Sequence, residues 1–206
     1  DDRAPGDWRA LKAGEVAFVL ATDMLGTHVL GLSDRETRVV VSGEAALREA
    51  VRSLAARGVS FSGHDVKGLC RDYGVEPGAD GIDLGVASYL YDPSVGEHGP
   101  REVEERFLHE EVRDARGSEN DLVAAVEQVE RSIPVLRAAL TERCQNVLYA
   151  TLEHPLIACL ADMEARGVRV DAEILRGLSE DFRARMSALE RPIYDAATHE
   201  VNILSP

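Results

Sequence analysis

The chain has 206 residues, 45% of them hydrophobic and 29% charged, with 37 Asp and Glu against 23 Lys and Arg for a formal charge of -14. That is enough for one ordinary core, or for one domain and part of a second. The acidity excludes a strong autonomous grip on phosphate backbones unless basic residues cluster, and the sequence has no such cluster; the acidic excess reads as a solvated surface. Cys70, Cys144 and Cys159 lie far apart, without a Cys-x-x-Cys pair or a histidine at ligand spacing, and read as reduced thiols of a cytosolic protein. No apolar run reaches spanning length and no signal sequence opens the chain, so the expected location is the cytoplasm, with no membrane partner.

Residues 1–6 have the character of a linker or an edge. The near-continuous apolar run at 15–23, bounded by Gly14 and a turn at Gly26, predicts a strand buried on both faces, because a half-exposed strand would alternate. Val19 and Ala21 share one side of it. Runs at 29–32 and 37–41, separated by a turn-prone segment, predict an antiparallel meander with that strand. Leu47, Val51 and Leu54 mark one face of a crossover helix that Gly58 ends. A short strand at 59–61 then leads through Gly63-His64-Asp65 into a helix carrying Val66, Leu69 and Cys70 before Tyr73-Gly74. This alternation of strand and helix predicts a mixed α/β sheet.

Asp83 precedes an apolar helix at 84–90 that Asp92-Pro93 stops; an acceptor is what a helix start lacks, so capping is favoured over a metal role. Residues 94–120 are the least informative, with a helix near 103–108 and with His98 and His109 read as solvated. From Asp121 the pattern is strongly helical, with a kink or break expected at Pro134. Pro155 opens another helix that Gly167 stops, and 168–170 read as extended. Asp171 caps a long helix with Ile174, Leu178, Phe182, Met186, Leu189 and Ile193 on one face, bent at Pro192; the partner of that face is expected partly outside this chain. The segment 201–206 resembles the start of something further on.

Several passages carry a family pattern: 152–156, the run 160–171, 193–197 and 201–206, together with Ile82-Asp83-Leu84, Ala87-Ser88-Tyr89-Leu90-Tyr91-Asp92-Pro93 and the stretch from Lys67-Gly68-Leu69 to Tyr73-Gly74. These resemble bacterial family A DNA polymerase I where its 3′-5′ exonuclease-like domain joins the polymerase thumb. The resemblance implies a ribonuclease H-like exonuclease fold, a mixed sheet flanked by helices, over 1–140. A helical connection and thumb base would occupy 141–206. It implies a parent that is a DNA-directed DNA polymerase of replication and repair, a nucleotidyltransferase using Mg²⁺, whose palm and fingers would follow Pro206. DNA would be met through that parent, weakly or not at all by this segment, which would contact the polymerase domain intramolecularly and otherwise be monomeric.

In proofreading members of that family, Asp-x-Glu on the first strand, an Asp ahead of Tyr-Gly, and a Tyr-x-x-x-Asp hold two metal ions for in-line attack by water. Laid on this chain, those carboxylates fall at Val19, Ala21 and Val66. Matching on Val123 puts the last pair at Arg116 and Asn120. The resemblance therefore implies an inactive exonuclease, with no catalytic, cofactor-binding or metal residue and no cofactor for this segment. Val19, Ala21 and Val66 are expected to fill the former cleft as core. Two alternatives stay open: an active metal-dependent 3′-5′ exonuclease with carboxylates shifted to Asp23, Asp65 and Asp83, and a module that holds single-stranded DNA without cutting it.

Overall fold

The computed structural model describes residues 7–12, 14–22, 26–112, 115 and 118–197. Four strands, β1 (Glu15–Thr22), β2 (His28–Ser33), β3 (Arg38–Ser42) and β4 (Ser60–Gly63), form one sheet in the order β3-β2-β1-β4. The first three are the antiparallel meander expected from the turn residues. β4 returns parallel to β1, with Phe18 opposite Gly63, after the crossover helix α1 (Glu44–Ala56). The mixed α/β sheet is thus the product of one tight meander and one helix-length connection, as a parallel return requires.

β1 is the spine. Its odd and even side chains feed two separate cores, as the two-residue strand period dictates. Val16 and Phe18 pack with α1 and with α2 (Val66–Tyr73), where Phe18 and Phe61 meet edge to face at 6.5 Å. Ala17 and Val19 face α3 (Leu84–Tyr91), α4 (Pro100–Phe107) and the long α5 (Glu119–Glu142). Burial on both faces holds only for Val16 to Phe18; Val19, Leu20 and Ala21 are half-buried. α5 lies hard against β2 at Gly31, where a Cβ would stand 2.4 Å from Val126 Cγ2.

Pro134 does not break α5; it lies on the solvent side of the helix, and Ile133 and Leu136 stay packed. His98 is half-buried rather than solvated: its Nδ1 lies 3.0 Å from Ser88 Oγ and its ring stands edge-on to Tyr89. After α6 (Asn146–Leu148), a π-helical turn over Tyr149–Glu153 leads into α7 (His154–Arg166). Ile157 and Ala161 of α7 enter the core beside α2, and Glu164 bridges Lys67 and Arg71 at 2.6 and 2.9 Å. These ion pairs are exposed and contribute little beside the apolar burial.

The chain divides into two compact units, Asp1–Arg166 and Gly167–Pro206. The first runs past residue 140 because α7 joins its core. In the second, Asp171 caps α8 (Ala172–Ala197), its Oδ1 accepting from the N–H groups of Glu173 and Ile174. The helix continues through Pro192, and Ile174, Leu178, Phe182, Met186, Leu189 and Ile193 are exposed. No helix among the described residues is long and apolar enough to cross a membrane. Cys70 is buried, its thiol pushed up to about 12 by that burial, while Cys144 and Cys159 are exposed and all three are free.

Candidate functional site

Asp83 follows the meeting point of β4 with the incoming chain, bridging Gly63. Its Oδ1 accepts from the N–H groups of Gly85 and Val86 at 3.0 and 3.1 Å, and its Oδ2 accepts from Val66 N–H at 2.8 Å. One buried carboxylate therefore caps α3 and also meets the first residue of α2, satisfying donors that each helix start leaves open. Burial pushes its pKa up, against the opposing pull of the Val86 and Val66 N–H groups. Its own N–H donates to Tyr149 Oη at 2.7 Å, and burial pushes that phenol up as well. The π turn matters here, since it delivers Tyr149 to this junction.

Asp65 sits in the left-handed region at φ 54° and caps α2, its Oδ1 accepting from Gly68 N–H at 3.0 Å. A Cβ on residue 68 would lie 2.2 Å from Asp65 Oδ2, so a larger residue there would displace the capping carboxylate. Asp65 and Asp83 are thus engaged by helix starts. Asp23 lies outside the described residues, as does Arg116.

Above the half-buried end of β1 is an open cleft of about 650 Å³, bounded by β1, the end of β4, α4 and α5. Val19 and Ala21 line it together with Ala125 and Val129. The expectation that they fill the cleft is not met: Ala21 offers a single methyl group, and α5 is already in contact with Gly31 and can come no closer. Val66 is fully buried, but in the core on the other face of β1, with Phe18 and Leu69. Asn120 is exposed in the first turn of α5. Its neighbour Asp121 closes a capping box with Ser118, accepting from Ser118 N–H at 2.8 Å while its own N–H donates to Ser118 Oγ at 3.3 Å. The structure therefore brings Val19 and Ala21 to one cleft and leaves Val66 and Asn120 away from its lining.

The cleft has one polar wall. Glu104 of α4 is buried at 1% exposure, and its Oε2 accepts a hydrogen bond from Ser132 Oγ of α5. Its Oε1 lies 3.5 Å from His64 Nε2, and neither atom has a hydrogen-bond partner. Both residues line the cleft, as does Gln128. Sequence reasoning missed this pair. Two signals were available: His64 directly follows a strand at the carboxyl edge of the sheet, where α/β sites form, and Glu104 sits beside Val103 on the packed side of α4. Among the described residues, no group of three or more His, Cys, Asp or Glu is placed to hold a metal ion.

The mixed four-stranded sheet flanked by helices, with a cleft at the end of its central first strand, has the ribonuclease H-like fold. Solved structures share that fold. Brucella melitensis NrnC matches 76% of this chain and 87% of its own with a TM-score of 0.57 at 17% identity. The POL domain of Pol1 from M. smegmatis, solved in complex with DNA primer-template and dNTP, matches 93% of this chain and 35% of its own with a TM-score of 0.64 at 20% identity.

Sequence relatives carry the match further. The thermostable DNA polymerase I of Thermus filiformis is 33% identical over 204 residues, 98% of this chain and 23% of that protein. DNA polymerase I of Rhizobium leguminosarum is 34% identical over 156 residues, 67% of this chain and 15% of that protein. The chain belongs to the DNA polymerase I family, matching one segment of its members. It spans only 15% and 23% of the length of these two relatives. No protein-family model matches it.

Proposed function

We propose that the chain is the exonuclease-like and thumb-base portion of a DNA-directed DNA polymerase of replication and repair, and that its exonuclease-like unit does not cut DNA. It acts as a platform for the polymerase domain. The observation that carries this reading is the placement of Val19 and Ala21: they line the cleft at the positions where the family resemblance would put Asp-x-Glu, and an alkyl group can neither ligand Mg²⁺ nor orient an attacking water. Asp65 and Asp83 support it, since both are engaged in capping helix starts. Mg²⁺ and DNA are then matters for the polymerase domain of a monomeric cytoplasmic parent. The charge of -14 opposes strong DNA binding by this segment alone.

The test is incubation of the purified chain with single-stranded and 3′-mispaired DNA in Mg²⁺ or Mn²⁺. No shortening of the labelled strand is expected. Metal-dependent shortening that Asp23→Ala abolishes would establish the shifted-carboxylate exonuclease instead. Tight, salt-resistant retention of uncut DNA would favour the single-strand binding module.

A further inference from the structure

α7 carries two apolar faces. Ile157 and Ala161 enter the core beside α2, whereas Leu156, Leu160 and Met163, with Leu152 of the π turn before them, are exposed. Their spacing of four, four and three residues sets these four side chains in one stripe. A contiguous apolar stripe left in water is unfavourable and marks a surface that another element covers. Beside it lies a hollow of about 310 Å³, lined by Leu156 and Leu160 together with Asp65, Asp83 and Glu153. Lys67 also lines the hollow, but Glu164 holds it at 2.6 Å. Among the described residues neither Asp65 nor Glu153 makes an ion pair. The face is therefore apolar along the helix and negative beside it, which suits an occupant with apolar side chains and a cation.

A second copy of this chain, with its own charge of -14, is repelled from such a face. The Thermus filiformis relative matches 98% of this chain with 23% of its own length, so most of that protein lies outside the matched segment. We infer that the stripe of Leu152, Leu156, Leu160 and Met163 is the surface on which the polymerase domain seats, through an element that lays apolar side chains along α7 and sends a Lys or Arg side chain toward Asp65 and Glu153 in the hollow. The inference rests on the platform reading and names the face that the platform presents.

Calorimetric unfolding of the parent polymerase, beside that of this chain by itself, tests the surface. The unaltered parent is expected to unfold this part and its polymerase domain in one shared transition, and this chain by itself to sediment as a monomer. Leu156→Lys and Met163→Lys should each split that transition, lowering the melting temperature of this part of the parent by about 5 °C or more. Each should move the melting temperature of this chain by itself by less than about 2 °C, because the side chains replaced are already exposed. Glu153→Lys, which opposes the incoming cation, should act in the same direction and less strongly. Equal shifts in the parent and in this chain by itself, or a dimer of this chain that Leu156→Lys dissolves, would overturn the surface. A shared transition that the stripe variants leave intact would overturn the surface and leave the platform reading standing. Independent unfolding of the two parts in the unaltered parent would overturn both.

Discussion

The two faces of β1 come from the same eight residues, yet they end differently. On one, Val16 and Phe18 are sealed by α1 and α2, with Val66, Leu69 and Phe61 filling the space between. On the other, Ala17 is sealed, but Val19 and Ala21 border an open cleft. Apolar side chains at these positions therefore have two outcomes. A side chain at a helix start beneath neighbouring elements becomes core, whereas side chains on a strand facing a helix already stopped by Gly31 become the wall of a cavity. An apolar lining does not by itself close a cleft.

The largest effect should come from placing a charge on the sealed face. Val66→Asp puts a carboxylate where there is no exposure, near Asp83 and Asp65, and should cost more than about 3 kcal/mol in urea unfolding. Next is Asp83→Ala, which strands three N–H groups and should cost about 2–4 kcal/mol.

That second cost should depend on pH. Burial raises the Asp83 pKa above its ordinary 3.8, so the folded form holds the proton more tightly and the group's contribution to stability falls as pH rises through the window above 3.8. The penalty of Asp83→Ala should accordingly be larger near pH 4 than near pH 7, and a penalty that grows toward neutrality would contradict the burial argument. Smallest is the double change Val19→Asp with Ala21→Glu, whose carboxylates can reach water in the cleft; a cost under about 2 kcal/mol is expected. If thermal or urea unfolding gave it the same cost as Val66→Asp, the cleft would be closed in solution and the contrast between the faces would fail.

Much of this was legible in order along the chain. The meander followed from apolar runs and turn residues, α1 from the spacing of Leu47, Val51 and Leu54, and the caps at Asp83 and Asp171 from the donors that helix starts leave unpaired. Of the candidate site, only Val19 and Ala21 were legible, as two residues on one side of the first strand. His64 and Glu104 stayed hidden because they are 40 residues apart in the sequence and neither forms a local motif; only the stacking of α4 over the end of β4 brings them to 3.5 Å. The same holds for α7, whose union with the first unit rests on Ile157 and Ala161 meeting α2, a partner some ninety residues earlier.

Alone, the sequence determined the elements, their caps, the acidic surface and the apolar identity of residues 19, 21 and 66, because these depend on side-chain chemistry and on the strand and helix periods. The tertiary structure decided which of those residues are core and which are cavity wall. It also made Asp83 serve two helices and left one buried carboxylate facing one histidine. Those outcomes depend on distances between segments remote in sequence, which the spacing of residues along a chain does not encode.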